Sequence, residues 1–335
     1  MSRSVQETDY DALSCRISAI VKGYMPCEVQ IQKCGFSKYA EMHLAYANAL
    51  RSTSRRAYGK IRKTVESALP VINYGTYLRT VSIDAVVSDF LEKKRDSEQL
   101  QILNLGCGSD LRAAQFLKRF PQCRVVEVDY STSVALKIKT LKESPELVEL
   151  FAVGSSVASQ STELITERYC LLPCDISKMD QVTTMLSVHF SPDAPTLVLT
   201  ECVLCYMAEN HSSQLIKTVQ DYFNEGCWLS YDPIGGVEGK DNFGSIMRDN
   251  LRESRQLEMP TLMSFNDPAA YAARFASGRV PVQIQTMWQY YRVSVTSEEK
   301  QRLKALQFLD EIEELQIMLS HYILMDARWN KVRPA

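Results

Sequence analysis

Residues 101–110, QILNLGCGSD, decide the fold class. An apolar run ends in Gly106-Cys107-Gly108 and passes into a segment with a helical pattern from about Leu111. Ser109 or Asp110 is the expected N-cap of that helix, because a short polar side chain can accept from the first free backbone N–H groups. Glycines at such a turn let the backbone bend sharply and approach a ligand. A tight strand-to-helix turn without a ligand reads the same way, so the two glycines alone do not establish binding. Leu111 stands where a dinucleotide fingerprint carries its third glycine, which disfavours a pyrophosphate here.

On either side of this turn the texture differs. Segments 9–22, 36–65 and 76–94 lack strand alternation, and Ile83, Val86, Val87 and Phe90 mark one helix face, so residues 1–95 read as helical. From about residue 100, short apolar runs alternate with helical patterns, the mark of a parallel α/β sheet. The runs are Gln101–Leu105, Arg124–Val128, Tyr169–Pro173, Thr196–Thr200 and Cys227–Tyr231. The polar stretch 143–168 reads as a helix with an excursion. Further on, Asn242–Arg255 reads as a helix, residues 259–268 as a loop, and Trp288–Val295 as a strand. Ser297–Leu319 reads as one long amphipathic helix and His321–Trp329 as a final strand. The economical division is a helical extension or lid over 1–95 and one α/β domain over 96–335, with a substrate-covering insertion around 233–285.

The strand ends carry the chemistry. Asp129 closes the second strand, 23 residues after Gly106, where a carboxylate can accept from ribose hydroxyls. Asp175 and Ile176 follow the third strand, and Glu201 ends the fourth. Each acid alone is more often a cap or a loop residue. Together they put Gly106, Asp129, Asp175 and Glu201 at one sheet edge. That set suits a ligand with adenine, ribose and a charged amino-acid tail but no pyrophosphate, namely S-adenosylmethionine.

Composition bounds the rest. The 335 residues carry 38 basic and 40 acidic side chains, a balance that argues against non-specific nucleic-acid binding. No apolar run approaches the roughly 20 residues of a membrane helix. The opening MSRSVQETDYDAL has acids where a signal peptide would be apolar, and ten cysteines without such a signal suit a reducing, cytoplasmic setting. Cys202 and Cys205 sit in an apolar stretch, and the histidines His43, His189, His211 and His321 are scattered, so no metal is expected. With no heptad seam, a monomer is expected. The run Arg51–Lys63 holds six basic residues and no acid, either a solvated helix face or a dock for an acidic partner.

At these residues the chain resembles the leucine carboxyl methyltransferases, in particular their fungal branch. The stretches TDYDALSCRISAI, ALPVINYGTYLRT, NLGCGSDLR, ECVLCYM, SYDPIGG, LRESRQLEMPTLM and LQFLDEIEEL with SHYIL carry the resemblance along nearly the whole chain. It implies a class I S-adenosylmethionine-dependent methyltransferase fold, a Rossmann-like seven-stranded sheet with the last strand antiparallel. It further implies methylation of the C-terminal leucine carboxylate of the protein phosphatase 2A catalytic subunit, leaving S-adenosyl-L-homocysteine. Cofactor contacts are implied from Arg16, Arg79, Gly106, Gly108, Asp129, Asp175, Ile176 and Glu201. Arg79 is the expected carboxylate-orienting group, because a planar guanidinium grips a carboxylate at two points. Tyr206 is the second catalytic candidate, as a donor to the substrate carboxylate or as packing against the cofactor; a half-buried core tyrosine is its ordinary role. Alternatives are the related tRNA wybutosine-pathway methyltransferase, which carries kelch-type repeats absent here, a small-molecule O-methyltransferase, and a non-catalytic phosphatase assembly partner.

Overall fold

The structure is a computed structural model and describes residues 3–26, 38–154, 162–236, 241–276, 280–310 and 312–331. Parts of the predicted segments 36–65 and 143–168 and of the insertion therefore lie outside the described residues. The described part of the first 95 residues is helical: α1 (Arg3–Val21), α2 (Tyr39–Thr53), α3 (Arg55–Ser67) and α4 (Pro70–Lys93). Pro70 sits in the first turn of α4, where its missing N–H costs nothing. The strands are β1 (Leu100–Leu105), β2 (Cys123–Asp129), β3 (Leu164–Ile165), β4 (Tyr169–Pro173), β5 (Thr196–Glu201), β6 (Glu225–Pro233), β7 (Val282–Thr286) and β8 (Tyr322–Asn330). Between them run α5 (Ala113–Arg119), α6 (Ser131–Lys142), α7 (Pro145–Leu150), α8 (Met179–His189), α9 (Glu209–Tyr222), α10 (Phe243–Arg255) and α11 (Pro268–Ala273). The last helices are α12 (Met287–Val293), α13 (Ser297–Leu306) and α14 (Ile312–Ser320).

These strands form one eight-stranded sheet in the order β3-β4-β2-β1-β5-β6-β8-β7. The pairs β4–β2, β2–β1, β1–β5 and β5–β6 are parallel, and β8 is antiparallel to both neighbours. The two-residue β3, antiparallel on the outer edge of β4, is one strand more than the seven expected. Burial on both faces explains why the parallel strands read as continuous apolar runs. Ile102, Val125 and Leu197 face one apolar layer with the N-terminal helices, while Leu103, Val126 and Val198 face the other. The chain leaves β1 toward β2 on one side and returns at β5 on the other. A ligand crevice belongs at that reversal.

Three expectations change. Trp288–Val295 is not a strand: α12 occupies it, because Thr286 and Gln289 form a reciprocal capping box and the strand is the preceding Val282–Thr286. That strand belongs to the sheet, although all but its last residue falls within 233–285. Residues 297–319 are two helices, not one; the backbone at Gln307 is extended and its side chain accepts from the Asn73 amide at 2.7 Å. Helix α5 starts at Ala113, two residues beyond the expected Leu111, with Arg112 at its N-cap position. Ser109 donates to Asp9, and Asp110 accepts from the Arg112 N–H at 3.0 Å. Among the described residues no helix is long and apolar enough to cross a membrane.

His43 of α2 is fully buried against Tyr39, with ring centroids 4.3 Å apart. Burial, reinforced by the Arg16 charge, lowers its pKa from 6.5 to about 3. The folded state thus refuses a proton that the unfolded state takes below about pH 6.5. Its contribution to stability is complete above that pH and is lost as pH falls toward 3. Relative to His43→Gln, the wild type should lose about 1.4 kcal/mol per pH unit between about pH 6 and 4. Urea unfolding across that range would show this as converging stabilities; parallel curves would refute it.

Candidate active site

A cavity of about 380 Å³ opens where the sheet reverses, at the carboxyl ends of β1, β2, β5 and β6. Register makes this edge flush: Leu105 pairs with Val128 and Thr200, and Glu201 pairs with Tyr231. Gly106 and Gly108 line it with φ of +70° and +45°, a region costly for any side chain. A Cβ on Gly106 would lie 2.7 Å from Val203 Cγ2, and one on Gly108 would lie 2.4 Å from Asp9 Oδ1. Both positions therefore require glycine.

Asp129 lines the cavity as expected. Its Oδ2 accepts from the Gly108 N–H at 2.8 Å and its Oδ1 from the Tyr130 N–H at 2.7 Å. Burial raises its pKa against those two bonds, and the carboxylate keeps lone pairs for further donors. Cys174 and Ile176 also line the cavity. Asp175 stands between these two, with its Oδ1 held locally. It accepts from the Ser177 N–H at 3.1 Å and hydroxyl at 2.7 Å, closing a turn beyond β4.

Glu201 is the centre of a buried charge network. Its Oε1 accepts from Arg79 Nε at 2.5 Å and Arg16 Nη2 at 3.3 Å, and its Oε2 from Arg112 Nη1 at 2.7 Å. Arg112 also reaches Asp110 at 2.7 Å and Asp84 at 3.1 Å, while Arg16 reaches Asp110 at 3.1 Å. Burial alone would push Glu201 up, but Arg112, Arg79 and Arg16 outweigh it and hold the carboxyl well below the usual range. Arg79 meets Glu201 only through Nε. Its guanidinium lies over the Tyr231 ring at 5.3 Å, and Tyr231 stacks on Tyr322 with centroids 5.5 Å apart. Held at one edge and one face, Arg79 lines the cavity with the fork end of its side chain still available.

Tyr206 follows β5 in a single 3₁₀ turn, Leu204–Tyr206, and lines the cavity. It is hydrogen-bonded to Thr8, and burial pushes its phenol well above the ordinary value, so it stays a neutral donor. Met247, Leu251, Leu257 and Met318 add an apolar wall.

Helix α1 covers this edge. Asp9 accepts from Ser109 N–H and Oγ, both at 2.7 Å, and Asp11 pairs with Lys60 and Arg255. Glu7 pairs with Arg56 at 2.7 Å. Two bases of the 51–63 run are thus engaged by α1 itself rather than left for a partner.

The sequence profile of the family described as Leucine carboxyl methyltransferase matches residues 36–220. Leucine carboxyl methyltransferase 1 of Eremothecium gossypii is 46% identical over 330 residues, 98% of this chain and 100% of that protein. The Kluyveromyces lactis protein of the same name is 45% identical over 334 residues, covering 98% and 99%. The chain belongs to the leucine carboxyl methyltransferase family. As a member it is a carboxyl O-methyltransferase. The Schizosaccharomyces pombe relative of that name is 30% identical over 336 residues, covering 98% and 96%. A putative methyltransferase from Thermobifida fusca, 12% identical, superposes with a TM-score of 0.55 over 85% of this chain and 93% of its own, which shows a shared fold.

For this family member the sequence reading left out Asp9, Asp84, Asp110, Arg112, Tyr231 and Tyr322. Asp9, Asp110, Arg112 and Tyr231 lie inside the quoted stretches TDYDAL, NLGCGSDLR and SYDPIGG, so their proximity to the site had a signal. Tyr322 lies inside the quoted SHYIL, and Asp84 had only the pattern of its own helix.

Proposed function

We propose that the protein uses S-adenosylmethionine to methylate the C-terminal leucine α-carboxylate of the protein phosphatase 2A catalytic subunit. The observation that carries this reading is Arg79: an arginine laid on Tyr231 by its face, with its Nε edge on Glu201 where a cofactor tail can take that edge over, and its fork end directed into a cavity lined in part by apolar side chains. Such a group grips a carboxylate at two points, and the wall formed by Met247, Leu251, Leu257 and Met318 suits an aliphatic side chain.

The residues fit the cofactor. The positive φ of Gly106 and Gly108 turns the loop backbone along the cavity, Asp129 can accept from a ribose diol, and Glu201 with Arg16 and Arg79 offers both signs to a zwitterionic tail. Ile176 supplies an apolar face for a purine. When bound, the cofactor supplies an electrophilic methyl group on a sulfonium. A terminal α-carboxyl has a reference pKa of about 3.3–3.7, so the nucleophile arrives ionised and needs no base. Arg79 orients it, Tyr206 donates to it as a neutral phenol, and α1 with the apolar wall excludes water that would otherwise stabilise the separated charges. Transfer to the carboxylate oxygen forms one C–O bond as the methyl's bond to sulfur breaks, its electron pair stays on the sulfur of the departing S-adenosylhomocysteine, and no proton moves.

The test is incubation with methyl-labelled cofactor and the phosphatase catalytic subunit, in parallel with subunit lacking its terminal leucine. Label on the first alone is expected; label on both, or on neither, overturns the substrate assignment. For the ribose contact, Asp129→Ala removes charge-assisted bonds of about 1.5–3 kcal/mol and should weaken cofactor binding roughly ten- to a hundredfold. Unchanged affinity by calorimetric titration would remove Asp129 from the site.

A further inference from the structure

We propose that Arg112 is a positioning residue for the cofactor's amino-acid tail, acting through Glu201 as its permanent counter-ion while Arg16 and Arg79 serve as exchangeable ones. The inference rests on the reading that Glu201 takes the tail's ammonium group.

The three arginines differ in place and in valency. Arg16 and Arg79 line the cavity, and the Arg79 side chain is 21% exposed. Arg112 stands behind the wall at 4%, with Asp84 at 2% beside it. Arg79 gives Glu201 one edge nitrogen, and Arg16 gives its longest bond, 3.3 Å. Arg112 gives Nη1 to Glu201 and Asp110 together, both at 2.7 Å, and Nε to Asp84. Asp84 belongs to α4, so Arg112 is anchored from outside the cofactor loop. Three arginines face three carboxylates in this cluster, and the group is balanced without a ligand. A zwitterionic tail adds one charge of each sign. Its ammonium can displace Arg16 and Arg79 from Glu201, and its carboxylate can take up those two arginines. The exchange leaves no buried charge unpaired only if Glu201 keeps a cation that does not leave. Arg112 alone is placed for that, since it does not reach the cavity surface and its other bonds are to Asp84 and Asp110.

The discriminating probes are S-adenosylhomocysteine, which has the amino-acid tail, and 5′-methylthioadenosine, which lacks it. By calorimetric titration, Arg112→Met should bind S-adenosylhomocysteine at least tenfold more weakly and methylthioadenosine as the wild type does. Arg112→Lys, which keeps a charge but not three directed donors, should fall between. Asp84→Asn, remote from the ligand, should show the same selective loss in smaller measure, and it stands in if Arg112→Met does not fold. Equal loss for both probes would mean that Arg112 only supports the fold. No loss for either would mean that Glu201 does not depend on it. Both results overturn the proposal. Glu201→Gln tests the underlying reading separately: if it binds the two probes with the wild-type ratio of affinities, the ammonium assignment itself is wrong.

Discussion

Arg79→Ala should lower single-turnover methyl transfer at least about a hundredfold, because losing orientation at the nucleophile costs effective molarity rather than driving force. Arg79→Lys keeps the charge but has no planar fork and no extended face to lay on Tyr231, so substrate binding should survive better than rate. The wild-type rate should be nearly flat between about pH 6 and 8. Glu201 is held below the usual carboxylate range by Arg112, Arg79 and Arg16, and Asp110 by Arg112 and Arg16, while burial holds the Tyr206 and Tyr231 phenols well above theirs. The remaining participants, arginine and a terminal carboxylate, do not titrate there. Rapid-quench transfer to the phosphatase C-terminus, with both variants across that range, makes the measurement. A bell-shaped wild-type profile centred near pH 6.5 would require a histidine base and would defeat this mechanism. A wild-type rate in Arg79→Lys would show that Arg79 acts as a charge only.

Lys137→Met should destabilise the protein by about 3–5 kcal/mol, the cost of stripping one partner from a buried ion pair. Lys137 is 1% exposed, and its Nζ donates to Glu127 Oε2 at 2.6 Å and to the Asp110 carbonyl at 2.5 Å. Glu127 also accepts from Tyr169 at 2.6 Å and from Asn104 at 3.3 Å, contacts that the substitution leaves in place. Burial already raises the Glu127 pKa against the pull of Lys137. Without that pull it rises further, so the folded variant holds a proton that the unfolded chain releases. Stability of the variant then recovers as pH falls, and its deficit should shrink toward acid. Pairing the change with Glu127→Gln should restore most of the loss at neutral pH. Urea unfolding of the single and double variants would show this. A loss under about 1 kcal/mol in Lys137→Met would mean that the pair is replaceable by packing.

Much of this was legible in the chain itself. Strands β1, β2, β4, β5 and β6 were readable because burial on both faces writes them as unbroken apolar runs. The turn at Gly106 and Gly108 was readable because positive φ admits few residues, and Asp129 and Glu201 because strand ends share one edge. The capping box that makes α12 a helix was also present in the sequence, as Thr286 and Gln289. There the aromatic, β-branched composition of 288–295 argued for a strand, and the local hydrogen bonds won. Asp175 occupies the expected strand end, and what position alone did not show is that Ser177 two residues on holds its Oδ1. What only the tertiary structure decided is the charge cluster. Apart from Arg112 and Asp110, two positions apart, its bonds join residues 28 to 185 positions apart. Whether Arg112 is a solvated helix-start residue or the buried counter-ion of Glu201 depends on α4 bringing Asp84 behind β1 and β5, and on α1 bringing Arg16 over them. Periodicity and propensity are set within a few residues of one another. Charge pairing at this depth is set by which surfaces exclude water together, and that exists only once the helices have packed on the sheet.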